Sequence, residues 1–465
     1  MAEPQAKFLT GNLFRHITVM SLTSSVGLMA IFAVDFVDMI FIAMLGKAEL
    51  AAAVGYAATV LFFTTSFGIG MAIAAGALVA RALGEGDAQL AQERHTHALT
   101  YGVVFGIVFS ALVWMNLEPV VALLGATGRT ATLAVQYLQI VVPSLPFLMV
   151  GMMGGAILRA HGDARRAMMA TIWAGLVNAV LDPILIFGLN LELTGAALAS
   201  VAARIVIAVT ALMPIVKHYG GIGRPRLGGM IRDLPPIAAI AFPAILTQLA
   251  TPVGQAIVTR AMAEFGEAAV AGMAIVGRLS PLAFGVIFAL SGAVGPILGQ
   301  NFGARNFDRV RAGLQSAVLF TGLVIVIVSA ALFALRSPIA DLFSATGITR
   351  EMVYLFCGPL SLLFFFNGVL FVANATFNNL GHPFYSTFLN WGRNTVGMVP
   401  LVLLGAGLFG AQGVLVGQAL AGVLFGGLAW VLARRVIARA GQDMPTAPSE
   451  FGRQGRLMSL LYLRR

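Results

Sequence analysis

Charge is what this chain of 465 residues has least of. Asp, Glu, Lys and Arg make up 10% of it, against roughly 25% in an ordinary soluble domain, while 59% of its residues are hydrophobic and its mean hydropathy is +0.90. That scarcity excludes a cytosolic enzyme, a nucleic-acid-binding module and a disordered scaffold, and marks an integral membrane protein. Cysteine is almost missing: Cys357, alone in an apolar run, excludes disulfides and Cys-based metal sites. Histidine is missing from the interior of every hydrophobic stretch, since His16, His95, His97, His161, His218 and His382 all fall at stretch ends or in loops. Nor is there an HExxH pair, a GxSxG elbow or a phosphate-binding P-loop, so no enzyme, no cofactor and no nucleotide-driven pump is expected. An ion gradient is left as the energy source. The polar start Met1 to Thr10 runs into a hydrophobic stretch without a small-residue cleavage site, so no cleavable signal peptide is expected.

What is present is length and apolarity. A bilayer-crossing helix takes about 20 mostly apolar residues, and charged or Gly/Pro/Asn clusters mark the loops between them. This predicts twelve spans, at 14–43, 49–80, 95–117, 131–158, 166–189, 195–217, 235–263, 268–299, 311–335, 350–377, 384–408 and 411–433. The expected organisation is an all-α membrane protein with an amino-terminal six-helix lobe (1–217), a cytoplasmic linker (218–234), a carboxy-terminal six-helix lobe (235–440) and a basic cytoplasmic tail (441–465).

The net charge of +10 reports topology before it reports nucleic acid. Of the 29 Lys and Arg residues, only Lys47, Arg129, Arg336 and Arg350 fall on one side, and Arg204, Arg260, Arg278 and Arg393 lie in or beside spans. The other 21 share the side of both termini, which is therefore expected to be cytoplasmic, in a bacterial inner membrane, where the basic face would also hold anionic lipid headgroups.

The two halves resemble each other. Leu83-Gly84-Glu85-Gly86-Asp87 matches Phe302-Gly303-Ala304-Arg305-Asn306, Ala126-Thr127-Gly128 matches Ala345-Thr346-Gly347, and Ala160-His161-Gly162-Asp163 matches Asn379-Leu380-Gly381-His382, each at an offset of 219. Leu45-Gly46-Lys47-Ala48 matches Phe265-Gly266-Glu267-Ala268 at 220. Six spans per half give both halves the same orientation, a parallel repeat of the kind found in secondary transporters.

Ionisable groups within spans cost roughly 2.5–3.5 kcal/mol each and are functional candidates by default. Of 19 acids only Asp35, Asp38 and Asp182 lie well inside. Asp35 and Asp38 share one face of span 1 at i, i+3, and Asn178 and Asp182 share one face of span 5 at i, i+4. Asp38 and Asp182 are placed at similar depth, and Pro183 leaves the Ala179 carbonyl without its helical donor. Carboxylates gathered in low dielectric resist double ionisation, which suits a proton site; the same oxygens with Asn178 suit Na+, and a polar knot that only fixes helix packing is the plain alternative. The second half has Val258, Gln255 and Leu401 at the equivalent positions, so its polar candidates are substrate contacts: Gln248, Gln255, Asn367, Asn374 and Arg393. The 32 Phe and 20 Met of the whole chain give it an adaptable apolar lining.

The segment from Asp38 through Leu45-Gly46-Lys47-Ala48, the loop Leu158-Arg159-Ala160-His161-Gly162-Asp163 and the run from Asn178 to Asp182-Pro183 resemble the signatures of the MATE (multidrug and toxic compound extrusion) transporters. The resemblance covers essentially the whole chain. It implies twelve helices in two pseudo-symmetric bundles and a monomeric antiporter that expels bulky, often cationic organic compounds against H+ or Na+. It also implies a first-lobe cation site at Asp38, Asn178 and Asp182, with Ser200 in the place of a span 6 hydroxyl. The NorM-like branch adds a span 7 Glu and a span 10 Asp, which this chain lacks, and that favours the proton-driven DinF-like branch. A lipid-linked glycan flippase of the same superfamily would call for a more cationic cavity than Arg204, Arg260, Arg278 and Arg393 provide.

Overall fold

The computed structural model of the chain describes residues 6–441, so of the expected tail only Gly441 falls within it. A chain immersed in lipid must satisfy its backbone internally, and among the described residues every regular element is a helix. The first half contains α1 (Leu13–Met44), α2 (Ala48–Gly84), α3 (Ala88–Met115), α4 (Leu117–Leu123), α5 (Gly128–Val141), α6 (Leu145–Ala160), α7 (Ala164–Pro183) and α8 (Glu192–His218). The second contains α9 (Leu227–Ala263), α10 (Glu267–Ala283), α11 (Gly285–Gly303), α12 (Phe307–Leu342), α13 (Gly347–Leu355), α14 (Ser361–Leu380), α15 (Pro383–Asn394) and α16 (Met398–Ala440).

Among the described residues, eleven helical runs are long and apolar enough to cross a membrane. The last, Pro383–Ala440, has 58 residues, more than twice what one crossing takes. It reverses at Gly410, whose φ of 59° and ψ of −141° only glycine adopts without strain, so it supplies two spans and the total is twelve. Prolines explain the other interruptions. Pro143 sits in the short turn joining α5 to α6, Pro359 in the π-helical turn joining α13 to α14, and Pro281 lies three residues before the break at Phe284 that divides the expected span 268–299 into α10 and α11.

The repeat is written in the backbone as well as in the sequence. Left-handed residues recur as Gly86 and Arg305, Gly125 and Ser344, Gly128 and Gly347, and Gly162 and Gly381 at 219, and as Gly46 and Gly266 at 220. The helices after two of these turns start alike: Asp87 accepts from the Leu90 amide at 2.8 Å and Asn306 from the Arg309 amide at 3.3 Å.

Two compact units emerge. One comprises Val26–Ala241 with the residues up to Lys7, the other Phe8–Ser25 with Phe242 onward, so the division runs inside α1 and α9. Local bonding accounts for it. Residues 219–233 are tied into the first unit by Tyr101 Oη donating to the Met230 carbonyl (2.7 Å), His97 Nδ1 against Asp233 Oδ2 (2.6 Å) and Tyr219 Oη donating to Asp163 Oδ2 (2.7 Å). Phe8 is buried in the second unit, its amide donating to Gln300 Oε1 (2.9 Å) and its carbonyl accepting from Asn301 Nδ2 (3.1 Å) and Arg309 Nη2 (3.0 Å).

The Asp163 cap is also a pH-dependent lock. Burial opposes its ionisation, but donation from Tyr219 and Arg166 outweighs that and holds its carboxyl below the usual carboxylate range, while burial and the acceptor Asp163 push the Tyr219 phenol up to about 12. A lowered carboxyl contributes stability that is present at neutral pH and lost as pH falls through its folded value. Tyr219→Phe is therefore expected to cost about 1 kcal/mol at pH 7, with the gap from wild type closing below about pH 4; thermal melts across pH read both.

Candidate functional site

The site forms where α1 meets α7 in the first unit. Small residues set the register between two helices that run in the same direction. A Cβ on Gly27 would meet Thr171 Oγ1 at 2.5 Å, and one on Gly175 would meet Val34 Cγ2 at 3.0 Å. One turn further along both helices, Asp38 arrives opposite Asn178 and Asp182. The carboxamide of Asn178 bridges them, Nδ2 donating to Asp38 Oδ1 at 2.9 Å, to Asp38 Oδ2 at 3.0 Å and to Asp182 Oδ2 at 2.7 Å. Asp38 and Asp182 thus face each other across one amide. Two carboxyl groups so placed attract only with a proton or a cation between them.

Asp182 is 1% exposed, and its Oδ1 is buried with no hydrogen-bond partner. An unbonded, buried carboxyl oxygen is an open valence in a low-dielectric setting, suited to an added proton or a small cation. Local chain geometry keeps it there. Asp182 is the penultimate residue of α7, and after Pro183 the helix loosens into a π-helical turn over Ile184–Gly188.

A second polar group sits beside the first. Tyr137 of α5, 8% exposed, hydrogen-bonds Ser200 of α8 and interacts electrostatically with Asp38, Asp182 and Arg204. Arg204 Nη1 donates to the Val141 carbonyl at 3.0 Å and to Ser144 Oγ at 3.1 Å. Ser200 is thus engaged by Tyr137. Sequence reasoning missed Tyr137; the available signal was Arg204, a basic residue inside span 6 with no assigned counterpart. Asp35 stands apart: it is exposed, one turn before Asp38, and feels that residue through charge alone.

The polar candidates of the second unit divide. Asn374 is buried in a network in which its Oδ1 accepts from Asn390 Nδ2 (3.2 Å) and Ser386 Oγ donates to Asn378 Oδ1 (3.3 Å), which joins α14 to α15. Asn367 is half-buried, with its Oδ1 unpaired and Gly422 packed against the amide. Gln248 is half-buried, Gln255 exposed, and Arg393 half-buried on α15. The acids of this unit, Glu264, Glu267, Asp308, Asp341 and Glu351, all lie at or near helix ends.

Twelve spans, an internal duplication and carboxyls gathered inside one bundle are the build of a membrane transporter. The MatE family model matches residues 24–184 and 243–404, and the chain belongs to that family, the MATE transporters. It is 28% identical over 435 residues to the FAD transporter of Shewanella oneidensis, covering 92% of this chain and 96% of that protein. With the multidrug export protein MepA of Staphylococcus aureus it shares 23% identity over 405 residues, 87% of this chain and 89% of MepA. The fold superposes on the crystal structure of the Vibrio cholerae MATE transporter VcmN with a TM-score of 0.88 at 21% identity, covering 92% of this chain and 97% of that one. A MOP superfamily transporter from Pyrococcus furiosus gives 0.87 at 20% identity over 94% and 99%.

The bridge makes a direct prediction. Asn178→Ala removes the donor that both carboxyl groups share, and is expected to cost about 1–3 kcal/mol. The loss should be greater at pH 9 than at pH 5, where a proton can replace the lost donor; melting temperatures in detergent at the two pH values check it.

Proposed function

We propose that this chain is a proton-coupled antiporter that exports organic compounds across a bacterial inner membrane, with Asp38, Asn178 and Asp182 as its coupling site. The observation that supports this best is the unpaired, buried Oδ1 of Asp182 beside a second carboxyl held by the same amide. Proton uptake relieves the repulsion, and because a ligand shifts an equilibrium only by its differential affinity, proton and substrate must favour opposite states. One proton entering down 100 mV supplies about 2.3 kcal/mol and a tenfold proton gradient about 1.4 more, enough for a substrate gradient of about a few hundredfold. The missing span 7 Glu and span 10 Asp favour H+ over Na+ as the driving ion. The cytoplasmic placement of both termini rests on the distribution of basic residues, and Tyr137 with Ser200 acts as the positioning shell around the acids.

In proteoliposomes loaded with a lipophilic cationic dye, an imposed proton gradient is expected to drive efflux and a sodium gradient to give little. Asp38→Asn should lower the proton-driven rate at least tenfold. Undiminished transport in that variant removes Asp38 from the mechanism, and efflux that follows sodium alone reassigns the same oxygens to Na+.

A second reading concerns the substrate. The FAD transporter of Shewanella oneidensis is a relative over nearly the full length, and a dinucleotide carries a pyrophosphate. The second unit has no acid well inside its spans, while Arg393 has no acidic partner among the described residues. An anionic substrate suits that polarity. Competition of FAD against the cationic dye distinguishes the two: if the cargo is a dinucleotide, FAD is exported and Arg393→Gln lowers its transport by about tenfold while the residual dye flux is unchanged.

A further inference from the structure

Several cations on the face bearing the 84–88, 160–164 and 303–307 turns have partners. Arg81 pairs with Glu85, Arg166 with Asp163, and Arg232 with Glu93 and Asp233. Arg309 is spent on the carbonyls of Phe8, Thr10 and Gly11. Where α12 begins and α16 ends, four arginines gather in one place. Arg305, Arg311, Arg434 and Arg435 are all exposed, and none makes an ion pair among the described residues.

These four side chains line one continuous groove between α12 and α16. It has two lobes, of ≈ 580 Å³ and ≈ 330 Å³, which share Arg311, Ile437 and Ala438. Arg305 stands in the first lobe and Arg434 and Arg435 in the second, so each lobe has its own arginine besides the shared one. A single acid, Asp308, lines the first lobe. Trp430 lines the second and carries the Arg434 guanidinium over its ring, 5.7 Å from the centroid, as an aromatic residue at a membrane–water boundary does.

Both walls then continue as apolar stripes along the spans. On α12, Leu319, Leu323 and Ile327 follow Arg311 and Gln315 at four-residue steps, and they are 59%, 49% and 68% exposed. On α16, Leu428, Leu424 and Leu420 precede Arg435 on one face, at 45%, 58% and 42% exposed. A cationic end of two lobes that opens onto two parallel apolar tracks matches one kind of molecule in outline and in charge.

We infer that the groove between α12 and α16 binds an anionic phospholipid whose headgroup carries two phosphates, one for each lobe, with its acyl chains along the two leucine tracks. Guanidinium groups bind phosphate oxygens by paired hydrogen bonds, and cations at a membrane surface attract anionic lipid. The chain's own tail is a poor competitor for the site. Beyond Gly441 it carries Arg453, Arg456, Arg464 and Arg465 against Asp443 and Glu450, and like charges repel.

Native mass spectrometry and thermal melting of the purified full chain test this with four probes: diphosphatidylglycerol, phosphatidylglycerol, phosphatidylcholine and inorganic pyrophosphate. Diphosphatidylglycerol is expected to be retained and to raise the melting temperature, phosphatidylglycerol to do so more weakly, and the other two to do neither. Arg311→Gln with Arg434→Gln is expected to weaken diphosphatidylglycerol binding about thirtyfold, and Arg435→Gln alone about fivefold. Arg224→Gln with Arg226→Gln makes the same change in charge in the α8–α9 loop and is expected to leave binding intact. Equal loss in that control overturns a local site. Equal retention of phosphatidylcholine, or stabilisation by pyrophosphate, overturns the anionic lipid, and equal retention of phosphatidylglycerol overturns the two-phosphate headgroup. Each variant is compared at its own lipid-free melting temperature, so a folding defect reads separately from a binding defect.

Discussion

One amide holds the first bundle's chemistry together. Carboxyl groups are costly within a bilayer unless they are paired, protonated or hydrogen-bonded, and Asn178 Nδ2 serves Asp38 and Asp182 together. That contact constrains the rest. It needs α1 and α7 close enough for one side chain to reach across, hence Gly27 and Gly175 where the helices touch. It also places Asp182 at the end of α7, where Pro183 and the π-helical turn follow it. Because the amide's two hydrogens are already shared among three oxygens, Asp182 Oδ1 is left with nothing. The unmet valence is thus a consequence of the bridge.

Duplication separates scaffold from chemistry. The left-handed turn positions recur from half to half, because a short turn between antiparallel spans needs the same dihedral angles wherever it occurs. Residue identity at those positions is freer, as Gly86 against Arg305 and Gly125 against Ser344 show. Inside the spans the halves diverge. The first keeps three acids, an arginine and a buried tyrosine, while the second places Asn374, Asn378, Ser386 and Asn390 in a neutral network that fastens α14 to α15. Neutral amides hold helices together in lipid without offering a site that charge can switch.

The span pattern was legible because apolar length is a property of contiguous residues, and the junction between residues 408 and 411 coincides with the reversal at Gly410. Asp38, Asn178 and Asp182 were legible for a related reason: i, i+4 spacing and depth are read along a single helix, and few other charges compete. What was not legible depends on rotation about a helix axis or on contacts distant in sequence. Asp35 lies on the same helix as Asp38, yet it is exposed and makes no bridge. Ser200 lies on the expected span but is met by Tyr137, a residue of another helix that hydropathy treats as one more aromatic. The stretch drawn as a linker over 218–234 is bonded along the first unit through Asp163, His97 and Tyr101, which no local composition reveals.

The division between the compact units falls at residues able to soften a helix. In α1 it lies between Ser25 and Val26, where Ser25 Oγ donates back to the Leu22 carbonyl at 2.8 Å, the Ser21 and Ser24 hydroxyls are buried without partners, and Gly27 follows. Hydroxyls that compete for backbone carbonyls bend helices, and glycine adds to the effect. In α9 it lies between Ala241 and Phe242, next to Pro243, which withholds a backbone donor from the Ala239 carbonyl and whose own carbonyl accepts from Thr247 Oγ1 at 2.8 Å. Different side chains thus weaken the two helices that share residues with both units. Elsewhere in α1 no proline interrupts the 32 residues, so the portion that carries Asp38 runs unbroken up to the serines. Asp38 and the weakened point of its helix are about 13 residues apart, close to 20 Å along the axis at 1.5 Å per residue. Residues 26–44 belong to the first unit together with α7, so the bridge between Asp38 and Asn178 lies wholly on one side of that point.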